Sequence, residues 1–289
     1  MRPNEANVEP NAARDQSILR YYERAMDGHV YIRETVGVFL DTLAEALKAF
    51  PAPRLLELGS HAGFITSLIR NRAPQAEILV CDEDESLVAL SRRQLADSRV
   101  SYHVGPLSEV RPSVDVVVSV ARHHHLPHDY LRDLRRIMNA GGVYIVADEL
   151  CPEYCFGEFA ERIAQAKVLD IVGGYLLTTE AEVNAYRASG SIPAPAQALE
   201  TRRQQALWSW YRYVVDEAVA RGYFDIAVGE LQSAHDDLIT GSEAEHKFST
   251  AVVERQFALA GFRLVSKRSI GAVSEPTRQS IFVYTFTPA

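Results

Sequence analysis

Long apolar runs are missing from this chain. Nowhere do about eighteen apolar residues stand uninterrupted, so the sequence offers no membrane-spanning helix. Cysteine is scarce too: Cys81, Cys151 and Cys155 are too few and too unevenly spaced for a disulfide framework, which fits a reducing compartment. The segment "CPEYC" could open the CxxxCxxC pattern of an iron–sulfur site, but the position for the third cysteine holds Glu158. These cysteines read as small, partly buried hydrophobes. No basic stripe is present either. Lys and Arg number 30 against 38 Asp and Glu, giving a formal charge of −8, and nothing would neutralise a row of phosphates. Nucleic acid and membrane are therefore not expected partners, and a small neutral or cationic molecule is. The polar N-terminal stretch "MRPNEANVEPNAARDQ" carries no apolar run, and a cytoplasmic location is expected.

What is present is a chain of 289 residues, 47% hydrophobic, enough for one sizeable core with an added helical layer. Residues 15–50 predict two helices, the second with Val36, Phe39, Leu40, Leu43, Leu47 and Phe50 at helical spacing and ended by Pro51 and Pro53. Short apolar runs follow, "RLLELG", "EILVCD", "VSYHV", "VDVVVSV" and "GVYIVAD", alternating with segments of helical length. That alternation predicts an α/β, doubly wound, mostly parallel sheet covered on both faces. From 151 to 247 the pattern is helical, with no convincing strand, broken by the Gly, Ser and Pro-rich "ASGSIPAPAQ". The rhythm then resumes with a helix and two strands. The expected division is a helical cap at 1–52, a core at 53–150 and 248–289, and a helical lid at 151–247 that shapes the substrate pocket.

The loop "LLELGSHAGFIT" joins the first strand to the following helix. Gly59 permits a tight turn, and Gly63 lets the helix N-terminus approach a ligand. His61 and Phe64 stand where a dinucleotide loop would have glycines, and no Gly-Lys-Ser/Thr ending marks a Walker loop, so little here cradles phosphates. Glu57 beside the loop would repel a pyrophosphate but suits an ammonium group. Asp82, nineteen residues beyond Gly63, lies at the spacing at which a carboxylate reaches ribose hydroxyls. An amino acid joined to a nucleoside satisfies both carboxylates, which points to S-adenosylmethionine.

The chain resembles the class I S-adenosylmethionine-dependent methyltransferases. "LLELGSHAGF" is similar to their first motif, "LVCDEDESLVALSRR" to the second, "VDVVVSVARHHHLP" to the fourth strand and its loop, and "LRRIMNAGGVYIVADE" to the segment through the fifth strand. "AGFRLVSKRSI" and "QSIFVYTF" resemble the last two strands. The resemblance implies a Rossmann-like seven-stranded sheet whose last strand is antiparallel. It implies that Glu57, Gly59 and Gly63, with Ser60 and His61, line the methionine part of the cofactor, that Asp82 with Glu83 holds the ribose, and that Ala121 and Arg122 add backbone contacts. Pro106 stands where many members place an adenine-binding aspartate, so adenine contacts fall to backbone near Leu107. His61 replaces the middle glycine, which ordinary backbone angles would allow.

For chemistry, the run His123, His124, His125, with His128 nearby, offers a general base, His124 and His125 being the candidates. Successive side chains there point apart, so no metal site is expected. Glu149, next to Asp148 at the end of the fifth strand, and Tyr21, Tyr22, Tyr154 and Tyr175 in the cap and lid are the expected substrate contacts. The implied activity is methylation of a small molecule, in bacterial specialised metabolism, with a homodimer as the assembly considered. Two other readings stay open. One is an enzyme that cyclises the cofactor's own aminobutyrate chain to azetidine-2-carboxylate with release of methylthioadenosine. The other is a fold relative that binds the cofactor without turnover.

Overall fold

The structure, a computed structural model, describes residues 9–111, 113–127, 129–240, 247–271 and 279–289; His128 lies outside them. Two helices, α1 (Glu9–Gly28) and α2 (Ile32–Leu47), precede β1 (Arg54–Leu58). Then come α3 (Phe64–Arg72), β2 (Glu77–Asp82), α4 (Glu85–Gln94), β3 (Val100–Val104), β4 (Val114–Val120), α5 (Tyr130–Ile137) and β5 (Met138–Glu149). The insertion holds α6 (Glu158–Gln165), β6 (Asp170–Val172), β7 (Tyr175–Leu177), α7 (Glu180–Ser189), α8 (Ala194–Ala220) and α9 (Phe224–His235). The chain closes with α10 (Thr250–Leu259), β8 (Phe262–Ser269) and β9 (Ile281–Pro288).

Seven strands form one sheet in the order β3-β2-β1-β4-β5-β9-β8. β1 to β5 run parallel, and β9 enters antiparallel between β5 and β8. The fold is thus the expected α/β Rossmann-like one with an antiparallel last strand. The strand order reverses between β1 and β4, so a crevice opens beyond the carboxyl ends of these strands. The runs of Val and Ile in β4 and β5 are buried because helices cover both faces.

Helix α2 is a layer of the core. Its buried face carries Val36, Phe39, Leu43 and Leu47, which join one core cluster with Leu55, Val116, Val118 and Ile145 of the sheet. Burying each such side chain contributes about 1.5–3 kcal/mol. α1 ends at Gly28, and Tyr31, with φ 61°, turns the chain into α2.

The insertion corrects the helical expectation for 151–247, since β6 and β7 pair as an antiparallel hairpin. Gly173 and Gly174 have φ of 54° and 82°, the pair of positive angles that a two-residue primed turn requires. The strands are three residues each, too short for periodicity to announce them. Cys151 and Cys155 are buried in the core, as small hydrophobes are, and burial pushes the Cys155 thiol up to about 12.

Arg203 of α8 ties distant parts of the insertion together. It is 1% exposed, its Nε and Nη2 donate to Glu200 at 2.8 and 2.9 Å, and its guanidinium also donates to the carbonyls of Asp237 (3.2 Å) and Lys247 (3.4 Å). Removing one partner of a buried pair leaves the other charge uncompensated. Arg203→Met is therefore expected to lower unfolding free energy by about 3–5 kcal/mol, measured by urea denaturation, with Glu200→Gln in the same background recovering part of the loss. Single and double variants of wild-type stability would show that the clamp adds nothing.

Candidate active site

A cavity of ≈ 380 Å³ opens at the carboxyl ends of β1, β4 and β5, under α1, α8 and α9. At one end its wall holds Gly59, His61, Asp82, Ala121 and Arg122; at the other it holds His29, Glu149, Tyr211, Glu230, Asp237 and Lys247. Tyr21, Tyr22, His124 and His125 also line it. A second cavity of ≈ 220 Å³ shares Asp82 and Arg122 and is lined by Glu83, Pro106 and Leu107. Most residues singled out in the sequence therefore meet around one crevice.

The glycine loop is held from below by Asp82. Its Oδ2 accepts from the Ser60 amide at 2.7 Å, and its Oδ1 accepts from the Asp84 amide at 3.0 Å. Gly59 has φ 88°, and a Cβ there would meet Arg122 Cγ at 3.0 Å, so the close approach of this loop to Arg122 requires glycine. His61 departs from the expectation of ordinary angles: its φ is 43°, and Ala62 follows with φ 54°. The loop keeps the left-handed conformation of the missing glycine. Of the four described non-glycine residues with positive φ, three, His61, Ala62 and Ala121, belong to the two loops that bound the cavity. The His61 ring offsets the strain by contacts. Its Nδ1 lies 3.2 Å from the Gly59 carbonyl, and Tyr22 of α1 meets it edge-on at 6.0 Å while stacking on Phe64 at 6.2 Å. Burial, then the Arg122 charge, lowers the imidazole pKa and keeps the ring neutral.

Beyond β4 the three histidines have different surroundings. His123 is buried and bonds through Nδ1 to the Tyr130 hydroxyl at 2.7 Å, a packing role. His125 is lowered to about 2 by burial and then by His124, so it is neutral. His124 Nδ1 lies 2.6 Å from Asp148 Oδ1. Burial would raise the Asp148 carboxyl, but His124 outweighs it and holds the group at about 2. That carboxylate orients the His124 ring in the cavity wall.

The far end is a buried polar set. Lys247 Nζ donates to Glu149 Oε1 at 2.6 Å and to the Tyr211 hydroxyl at 2.9 Å, and Tyr211 donates to Asp237. His29 Nε2 lies 3.0 Å from Glu149 and 3.5 Å from Glu230. Burial would raise Glu149, but Lys247 and then His29 hold it well below the usual carboxylate range. Burial would lower His29, but Glu230 and Glu149 raise it to about 9.

Some expected residues stand elsewhere. Tyr154 is 3% exposed in the core, and Tyr175 sits on the β6–β7 hairpin against Leu177, Val183 and Ala196; neither lines the cavity. Ser60 serves through its amide, and Gly63 (φ 87°) packs where a Cβ would meet Ser91 of α4. Glu57 points to the sheet face opposite Leu56 and Leu58, outside both cavity walls. His29, Glu230, Lys247 and Asp237 were missed. Only Glu230 left a trace: it follows Ile226 and Ala227 by four and three residues, on the buried face of α9.

Residues 56–144 match the family model described as a methyltransferase domain. These residues belong to the methyltransferase domain family. Its members are the class I S-adenosylmethionine-dependent methyltransferases that the motif order suggested. The domain is similar to the ribosomal RNA small subunit methyltransferase C of Stutzerimonas stutzeri (strain A1501), 31% identical over 109 residues, 35% of this chain. The match spans about a third of that relative, 33% of its length. Among solved structures, the CurJ carbon methyltransferase superposes with a TM-score of 0.55 at 13% identity, over 94% of this chain and 58% of that one. The N-methyltransferase NodS from Bradyrhizobium japonicum WM9, in complex with S-adenosyl-l-homocysteine, gives 0.46 at 12% identity, over 94% and 97%. CurJ supports the fold of the methyltransferase domain.

Glu57 gives a test by titration. It is 1% exposed and neither oxygen has a well-formed hydrogen bond; burial pushes it up to about 8, with the Thr66 hydroxyl offsetting part of the penalty. The folded state thus keeps a proton that the unfolded chain releases near 4.5, so this contribution is whole below 4.5 and lost as pH rises through about 8. Glu57→Gln is expected to remove a slope of up to about 1.4 kcal/mol per pH unit in that window. Urea denaturation of both proteins from pH 4.5 to 8 checks this, and parallel curves would refute it.

Proposed function

We propose that this chain transfers the methyl group of S-adenosylmethionine to a small-molecule acceptor enclosed between the methyltransferase domain and the helices α1, α8 and α9. The single observation that carries this is the continuity of one cavity from the glycine loop and Asp82 to a walled-off set of titratable groups. The residues present fit the cofactor. Gly59 forms a cradle that a Cβ would close, and Asp82 uses one lone pair on each oxygen to hold backbone, leaving others for ribose hydroxyls. Glu83 and Leu107, in the smaller cavity, suit the ribose and adenine end, and Arg122 faces both. When bound, S-adenosylmethionine supplies an electrophilic methyl carbon.

The protein's task is then to align the acceptor, exclude water and take a proton. His124 is placed for the last of these. Asp148 orients it through Nδ1, and its other ring nitrogen is the one left to accept the acceptor's proton. Tyr21 and Tyr22 of α1 cover the crevice. The enclosure, together with the charge of −8, favours a small molecule over a nucleic acid, and we place its methylation in specialised metabolism.

The purified protein incubated with S-adenosylmethionine alone is expected to leave it intact and to form S-adenosylhomocysteine only when an acceptor pool is added, followed by mass spectrometry. Methylthioadenosine from the cofactor alone would replace this reading with the cyclisation of the aminobutyrate chain. His124→Ala is expected to bind the cofactor as wild type does by calorimetry, with turnover ~10²–10⁴-fold lower. Unchanged turnover would take the proton transfer away from His124.

A further inference from the structure

The buried set at the far end of the cavity has the form of an ion site. His29 follows α1, Glu149 ends β5 and Glu230 belongs to α9, and one ligand atom from each falls within 4.8 Å of the others. His29 Nε2 stands 3.0 Å from Glu149 Oε2 and 3.5 Å from Glu230 Oε1. An ion with bonds of about 2.1 Å sets neighbouring ligand atoms about 3.0 Å apart at right angles and about 3.4 Å apart at the tetrahedral angle. These separations are those of a shared coordination sphere.

Three further observations favour a cation among these groups. His29 Nδ1 lies 2.9 Å from the Val30 carbonyl, which orients the ring so that Nε2 faces both carboxylates, where a metal ion would replace its proton. Lys247 holds the other oxygen of Glu149, as outer partners orient a ligating carboxylate. Asp237, 3% exposed and in the same wall, has an Oδ1 with no hydrogen-bond partner among the described residues. Once an ion has displaced the Nε2 proton of His29, the carboxylates of Glu149, Glu230 and Asp237 against the Lys247 ammonium leave two negative charges, the number a divalent ion neutralises.

We infer that His29, Glu149 and Glu230 bind one divalent transition-metal ion, with its open positions facing the cavity. One nitrogen and two carboxylate oxygens suit Mn²⁺, Fe²⁺, Co²⁺ or Zn²⁺ better than Mg²⁺ or Ca²⁺, which take oxygen alone. Three protein ligands with open positions is the arrangement of a reacting site, not of a structural one. The ion takes an acceptor that chelates through two oxygens, such as a hydroxy or oxo acid, and this assignment of its use rests on the methyl-transfer reading. The binding of the ion does not.

The test uses full-length protein stripped with a chelator and titrated with Mn²⁺, free ion being followed by electron paramagnetic resonance. One equivalent is expected to bind, displaced by Zn²⁺, with nitrogen hyperfine coupling from a bound imidazole. His29→Asn and Glu230→Gln are each expected to weaken binding 10-fold or more while cofactor binding, measured by calorimetry, persists. If either variant fails to fold, the wild-type stoichiometry and nitrogen coupling decide. No stoichiometric binding, binding without nitrogen coupling, or affinity unchanged in folded variants would overturn the site and leave His29 as an imidazolium between two carboxylates. Loss of the methyl-transfer reading would appear separately, as intact cofactor with every acceptor pool.

Discussion

The ion pair between Glu149 and Lys247 joins the two halves of the cavity wall. Glu149 is the last residue of β5, and Lys247 comes at the far end of the insertion, 98 residues later. Both are less than a tenth exposed. Taking two charges out of water costs several kcal/mol per ion and is offset only when the remaining lone pairs and protons are satisfied. Here the offset is shared. Glu149 also faces His29, Lys247 also reaches Tyr211, and Tyr211 is bonded to Asp237. Arg203 holds the carbonyls of Asp237 and Lys247, so the backbone carrying these side chains is fixed by a second buried charge. A chain of this kind fixes geometry more than it adds stability, because its members are positioned only while all are present.

The sheet was legible because both its faces are covered. Strands such as "VDVVVSV" must be apolar along their whole length, and that pattern survives in one dimension. The hairpin at 170–177 was not legible, since a three-residue strand is shorter than the window any periodicity needs. Helix α2 was readable as amphipathic, but its sequence does not tell a cap from a core layer. Only the contacts of Phe39 and Leu43 with the cluster around Val116 and Ile145 separate the two.

The cofactor end of the site could be read because its residues lie within loops at fixed offsets from strand ends. Gly59, Asp82 and Arg122 reach the crevice through strand register alone. Even there the side-chain direction of Glu57 escaped, because alternation along β1 places it on the face opposite Leu56 and Leu58. The far end has no local signature. Glu149 could be placed at the pocket by its strand end, but His29, Glu230 and Lys247 come from a helix end, a helix face and a loop, and His29 and Lys247 alone read as solvated polar residues. Of the aromatic residues, Tyr21 and Tyr22 line the cavity as expected, but Tyr154 has the composition of a pocket residue and the position of a core residue.

The cover of the cavity is uneven in strength, and the difference follows from what each helix buries. α2 is tied to the sheet by Phe39 and Leu43, both fully buried. α1 is tied to α9 by Arg24 and Asp225, a pair 48% and 45% exposed, and exposed pairs contribute about 0–1 kcal/mol. Its further holds include the Asp15–Arg93 pair to α4 and Tyr22, which stacks on Phe64 and meets His61 edge-on above the strained loop. The joint between the two helices is short and holds both His29 and the left-handed Tyr31. The weakly held helix and the firmly held one thus meet at the residue that faces Glu149 and Glu230. His29 links the cover of the cavity to the charges at its far end.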